Sequence, residues 1–375
     1  KQNIYLHLFS DGRDSPPFAA LKILSQYTSI FNSDRVKIAT VMGRFYAMDR
    51  KKSWPRTKIA FDALVRGKGH QATSAVEAVN QGYNRGESDE FIEPSVVVDK
   101  SGKAIGSINS NDALVFFNLR SDRARQLSKT FAQPDFTKKN PGAFKPGKKI
   151  ENLLFVALTD FGPDLEGVLT AYPGIDIPDT LPMVLRDIRQ CYITETEKYA
   201  HVTYFFNGGY AHPVAGEDWV SIPSKDVDSY AEDPTMSTLE LTKRLIKDIK
   251  ADKYDFVLAN FAAPDMVGHT GNLKAGIEAV ELVDKSVGKI IETALAKQGT
   301  VIITADHGNV EEMINLKTRE IDTEHSINPV PFIIVNHHDF KLRANGKLAN
   351  IAPTILDILN IKKPKLISEK SLIIK

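Results

Sequence analysis

Apolar and polar positions follow two alternating rhythms along this chain. Short apolar runs at residues 4–9, 36–41, 113–118, 153–158, 199–206, 256–260 and 301–304 read as buried-type strands. Between them, residues 18–27, 57–66, 74–81, 122–130, 181–188, 237–251 and 273–295 carry the 3.6-residue period of amphipathic helices. In the longest of these the apolar positions include Ile277, Val280, Val283, Val287 and Ile291. Strand, long helix and strand across residues 256–304 predict a βαβ unit, and therefore a parallel sheet. The turn-rich stretch at 170–178, which contains Pro173-Gly174 and Pro178, reads as a linker. The expectation is an α/β protein of two lobes, residues 1–172 and 173–375.

Two short motifs sit at the ends of apolar runs in the second lobe. Asp265-Met-Val-Gly-His269 follows the run at 256–260, and Asp306-His307-Gly308 follows the run at 301–304. His325 comes shortly before Asn328-Pro-Val-Pro331. Open α/β sheets place their chemistry at the carboxyl ends of strands. Aspartate and neutral imidazole suit Mn2+, Zn2+ or Mg2+. Two aspartates and three histidines exceed what one tetrahedral ion with an open position requires and fit two ions. Taken singly, each motif also reads as a helix face, an N-cap or a turn. Together they point to phosphoryl transfer, where paired ions clamp the attacking and leaving oxygens.

The first lobe carries arginines at strand ends. Arg13 and Asp14 follow the first strand, Arg44 and Arg50 bracket Phe45-Tyr-Ala-Met-Asp49, and Arg120 and Arg123 follow the run at 113–118. Guanidinium forks grip phosphate and carboxylate at two points, so converging arginines suit a small ligand bearing both. The alternative is ordinary surface arginine on helices. Asp14 is either a helix cap or a carboxylate kept ionised by the arginines and able to act as a base. Lys198, in Glu195-Thr-Glu-Lys198, would alone be a solvated lysine.

Composition removes classes of function rather than adding one. The chain has 375 residues, 42% hydrophobic and 25% charged, with a formal net charge of +1. That balance gives no reason to expect a nucleic-acid or membrane-surface partner. Its single cysteine, Cys191, has no partner for an internal disulfide. No apolar run approaches the length of a membrane span, and a cytoplasmic enzyme is expected.

The segments FSDGRDSPP, GRFYAMDR, FFNLRSDRARQ, ETEKYAHVTYFFNGG, NFAAPDMVGHTGN, TADHGNVEEM and NPVPFI, in this order, resemble the cofactor-independent phosphoglycerate mutases. These are two-domain enzymes of the alkaline-phosphatase-like superfamily. The resemblance implies interconversion of 3- and 2-phosphoglycerate, a glycolytic and gluconeogenic isomerase reaction, without 2,3-bisphosphoglycerate. It implies a smaller transferase lobe that binds phosphoglycerate through Arg13, Arg44, Arg50, Arg120 and Arg123, with Asp14 as acid/base. In the metal lobe it implies one divalent ion, usually manganese, on Asp265, His269 and His325, and a second on Asp306 and His307. Zn2+, Co2+ and Mg2+ remain alternatives. Lys198 would offset the charge of the phosphoryl group, which passes through a phosphoserine.

The family pattern also includes a preceding N-terminal segment holding the accepting serine, a further metal ligand and a substrate-binding histidine, none of which is present among these motifs. Ser10, Thr270 and Ser326 lie near motif residues but have no spacing that marks a nucleophile. The expectation is a fragment or split protein, monomeric, with no mutase turnover unless a complementing segment is supplied. Another metal-dependent phosphotransferase or phosphodiesterase of the superfamily, or a non-catalytic remnant, are the alternatives.

Overall fold

The computed structural model describes residues 3–374 apart from 32, 34, 148, 149, 163, 166, 338 and 339. The chain forms two compact units, Lys1–Gly174 and Ile175–Lys375. The break falls two residues beyond the expected boundary, and the expected linker begins inside a strand.

In the first unit the elements run β1 (Ile4–Ser10), α1 (Ala20–Phe31), β2 (Val36–Gly43), α2 (Arg44–Ala47), α3 (Trp54–Arg66), β3 (His70–Ala72), α4 (Ala75–Asn84), β4 (Ser95–Val97), β5 (Ala113–Phe116), α5 (Ser121–Ala132), α6 (Phe136–Lys139), β6 (Leu154–Thr159) and β7 (Leu169–Tyr172). They build two sheets, β1-β2-β4-β3 and β5-β6-β7. In the first, β1 is parallel to β2, and β4 runs antiparallel to β2. The second is parallel throughout. One core packs Phe61, Leu64, Phe116, Leu127 and Phe155, and another packs Val41, Ala78, Val79 and Ile92 under α4. Phe61 is 1% exposed, and truncating such a side chain costs about 3–5 kcal/mol.

The three-stranded parallel sheet departs from habit. Parallel sheets are ordinarily covered on both faces. Phe116, Phe155 and Ala157 point into the core, whereas Val115, Phe117, Leu154 and Leu169 on the other side are each at least half exposed. No described element of the unit covers that outer face.

The second unit contains α7 (Leu181–Val184), β8 (Gln190–Glu195), β9 (Asp218–Ile222), α8 (Thr238–Lys250), β10 (Phe256–Ala259), α9 (Ala263–Gly268), α10 (Leu273–Leu295), β11 (Val301–Thr304), β12 (Phe332–Val335) and α11 (Ile351–Ile358). A central parallel sheet, β10-β8-β9, has every residue of β8 buried.

Three expectations are corrected here. Residues 199–206 are no strand: a π-helical turn spans His201–Phe205, with the Thr203 hydroxyl donating to the Tyr199 carbonyl at 2.7 Å. Its β-branched and aromatic residues mimic a strand by composition, but the true strand, β8, ends just before. Nor do β10 and β11 form one parallel βαβ ladder. Among the described residues β11 pairs antiparallel with β12, which follows directly on Pro329-Val-Pro331. Finally, the buried side of α10 is lined by Ala275, Gly276, Ala279 and Ser286, while Ile277 and Val280 are 54% and 42% exposed. Small residues allow α10 to approach Met313 closely, and apolar periodicity does not register them.

Candidate functional site

The metal-type residues of the second unit converge. Asp265 lies in the first turn of α9, and His269 is that helix's C-cap residue, one turn on, so both project from one side. His269 Nε2 and His325 Nε2 lie 3.2 and 3.1 Å from Asp265 Oδ1 and 3.1 Å from each other. The His307 ring stacks on His325 at 3.8 Å between centroids. Asp265, His307 and His325 each offer a ligand atom, all within 4.8 Å of one another.

Surrounding groups fix this arrangement. The His269 Nδ1–H donates to the Thr323 carbonyl at 2.8 Å, which turns the Nε2 lone pair toward Asp265. Asn309 Nδ2 donates to Asp265 Oδ1 at 3.0 Å. Only glycine fits at position 268, because a Cβ there would collide with the Asn309 carboxamide. Lys198 Nζ, almost fully buried, reaches Asp265 Oδ2 at 2.5 Å. Burial works to raise the Asp265 pKa, yet the neighbouring His269 and His325 imidazoles and the Lys198 charge hold it far below the carboxylate range. Carboxylate oxygen and imidazole lone pairs facing each other at about 3 Å repel unless a cation lies among them, so the donor set fits a divalent ion. Asp306, by contrast, is 62% exposed and approaches His307 Nε2 at 3.4 Å.

The first unit assembles its arginines in two groups. Asp11 Oδ1 accepts the backbone N–H groups of Arg13 and Asp14 at 2.9 and 2.7 Å and Arg44 Nη1 at 2.8 Å. Gly12, at φ 68°, makes that turn possible. Arg44, 3% exposed, also donates to Asp14 Oδ2 at 2.7 Å, and Arg13 pairs with Glu90. In the second group Asp122 Oδ2 accepts from Arg50 Nη1 at 2.6 Å and Asp122 Oδ1 from Arg120 Nε at 2.9 Å. Arg123 lies buried beside them, its Nη1 3.5 Å from the Met48 carbonyl. Burial raises the Asp122 pKa, but the charges of Arg50, Arg120 and Arg123 outweigh it and bring it down to about 2. The carboxylates Asp11, Glu90 and Asp122 carry no motif of their own in the sequence. The alternation of Arg and Asp in Asp11–Asp14 and Arg120–Arg123 was the available signal.

Fold and site together define a metal-dependent α/β enzyme. A metalloenzyme superfamily profile matches residues 37–363. The chain is 42% identical to the 2,3-bisphosphoglycerate-independent phosphoglycerate mutase of Acetivibrio thermocellus, covering all of this chain and 72% of that protein. It is 45% identical to the enzyme of that name from Clostridioides difficile, covering 100% of this chain and 73% of the relative. A Leishmania mexicana phosphoglycerate mutase crystallised at low cobalt concentration superposes with a TM-score of 0.91 at 28% identity, covering 100% of this chain and 72% of that one. The chain belongs to the 2,3-bisphosphoglycerate-independent phosphoglycerate mutases, isomerases that interconvert 3- and 2-phosphoglycerate. Family and donor set together support divalent metal ions as its cofactors.

Proposed function

We propose that the two clusters divide one reaction between them: the second unit holds divalent ions for phosphoryl transfer, and the first binds phosphoglycerate and glycerate. The observation that carries this is the shared Asp265 Oδ1, approached by His269 and His325 at 3.2 and 3.1 Å with Lys198 behind it. Asp265, His269 and His325 would hold one ion, and Asp306 and His307 would contribute to a second. Manganese is the ion we propose, because mixed carboxylate and imidazole donors suit it; zinc, cobalt and magnesium are the competitors. Bound there, the ions would stabilise charge developing on the phosphoryl oxygens. Lys198 adds a fixed positive charge beside the same group.

In the first unit Arg13, Arg44, Arg50, Arg120 and Arg123 grip the carboxylate and phosphate of the substrate. Asp14, held by Arg44, exchanges a proton with the glycerate hydroxyls. The phosphoryl group passes through a serine, which divides an awkward internal transfer into two displacements. Three hydroxyls near the motifs are engaged as donors: Ser10 to the Asp89 carbonyl at 2.7 Å, Thr270 to the Val267 carbonyl at 2.7 Å, and Ser326 to Glu311. On the family pattern, we assign the serine to a complementing N-terminal segment. Among the described residues no helix is long and apolar enough to cross a membrane, and we place the enzyme, as a monomer, in the cytoplasm.

A coupled assay for 2-phosphoglycerate from 3-phosphoglycerate, with Mn2+ and without bisphosphoglycerate, tests the scheme. Turnover is expected when the serine-bearing segment is supplied and not with the 375 residues alone. Turnover by the 375 residues alone would overturn the serine assignment, and metal-independent turnover would overturn the role of the second unit.

A further inference from the structure

We propose that Asp122 is a positioning residue that sets the three guanidinium groups of Arg50, Arg120 and Arg123 at the spacing a two-point anionic ligand requires. The inference rests on the reading of these arginines as the phosphoglycerate site.

Asp122 is placed at the start of α5 with a side chain only 8% exposed. Its two oxygens serve different arginines, Oδ2 taking Arg50 Nη1 and Oδ1 taking Arg120 Nε. The two partners lie 70 residues apart in sequence. Arg50 follows α2, whereas Arg120 immediately precedes α5. A long, rotamer-rich side chain loses its geometry unless something holds it. One rigid carboxylate on a helix holds both, and the buried Arg123 from the next position of the same helix completes the group.

Two readings of Asp122 predict opposite signs, which makes it testable. As a simple counter-charge, Asp122 opposes an incoming anion, and neutralising it should tighten binding of every anion. As a positioning residue it sacrifices some attraction for geometry, so neutralising it should weaken a ligand gripped at two points and spare one gripped at a single point.

The experiment is calorimetric titration of the 375-residue protein with 3-phosphoglycerate and, separately, with inorganic phosphate. Wild type, Asp122→Asn, Asp122→Glu and Arg50→Ala are compared, with circular dichroism as the check on folding. For Asp122→Asn the expected result is 3-phosphoglycerate affinity about tenfold weaker with phosphate affinity unchanged or tighter. Asp122→Glu keeps the charge but shifts both guanidinium groups by a methylene length, and should fall between wild type and Asp122→Asn. Equal or tighter binding of both ligands in Asp122→Asn would reduce Asp122 to a counter-charge and overturn the proposal. So would parallel loss of both, which marks a purely structural role. If Asp122→Asn does not fold, an unaltered ratio of the two affinities in Asp122→Glu overturns it equally. Unchanged 3-phosphoglycerate binding in Arg50→Ala would instead sink the underlying reading of the arginine site.

Discussion

The charged clusters of the two units solve opposite electrostatic problems. In the first, the arginines sit among carboxylates: Arg13 meets Glu90, Arg44 meets Asp11 and Asp14, and Arg50 and Arg120 meet Asp122. Arg123 adds its charge beside Asp122. The cations are compensated from within. In the second unit three imidazoles and the partly buried Asp265 carboxylate crowd together, with Lys198 as the cation at hand. The imidazole donor atoms there call for a cation from outside. The first cluster is therefore built to stand ready by itself, and the second to be completed.

Each unit holds one of the two tryptophans, Trp54 in α3 and Trp219 in β9, so single-tryptophan variants report on the units separately. The largest expected contrast comes from Glu195, the fully buried last residue of β8, whose pKa burial pushes up from 4.5 to about 7. A carboxyl with a raised folded-state pKa contributes stability that is full below the unfolded value and lost as pH climbs through the folded one. The second unit should lose about 3 kcal/mol between pH 4.5 and pH 8. Unfolding followed through Trp219 measures this, and Glu195→Gln should flatten the profile.

Slightly smaller is the response to metal. Mn2+ at about a hundred times its dissociation constant should stabilise the second unit by about 2.7 kcal/mol and leave the first unmoved. Asp265→Asn should abolish the response. A comparable shift at Trp54 would break the contrast between the clusters.

Acid gives the mirror image of the Glu195 effect. Asp122, lowered from 3.8 to about 2, contributes stability present above pH 3.8 and lost as pH falls toward 2. That window should cost the first unit about 2 kcal/mol, read at Trp54, and Asp122→Asn should lack this step. The smallest effect is expected at Asp306. Because its side chain is 62% exposed, Asp306→Asn should change apo stability by less than about 0.5 kcal/mol. Its effect should show in the affinity for the second of two ions, and titration to a single unchanged ion would remove Asp306 from the ligand set.

Strands and helices with strong local patterns were legible in the sequence: β1, β2, β10, β11, α8 and α10 lie where apolar spacing puts them. What was not legible depends on partners distant in sequence. Nothing in residues 301–304 says that β11 will pair with β12 rather than β10. Nothing in the composition of 199–206 says that its aromatics close a helical turn. In the sites, the imidazoles and guanidiniums stood out because their chemistry is distinctive. The orienting groups, Asp11, Asp122, Thr323 and Asn309, use common side chains or backbone atoms, and their roles exist only once the chain has brought them close.

The outer face of β5, β6 and β7 has a consequence for handling the protein. With Val115, Phe117, Leu154 and Leu169 presented to water, the chain carries a water-averse, adhesive panel. Its colloidal behaviour should be set by that panel more than by its near-neutral charge. Concentration, added detergent and hydrophobic dyes should all act on it first, and a few lysines placed along Val115 and Leu169 would make it a better-behaved solute without touching either charged cluster.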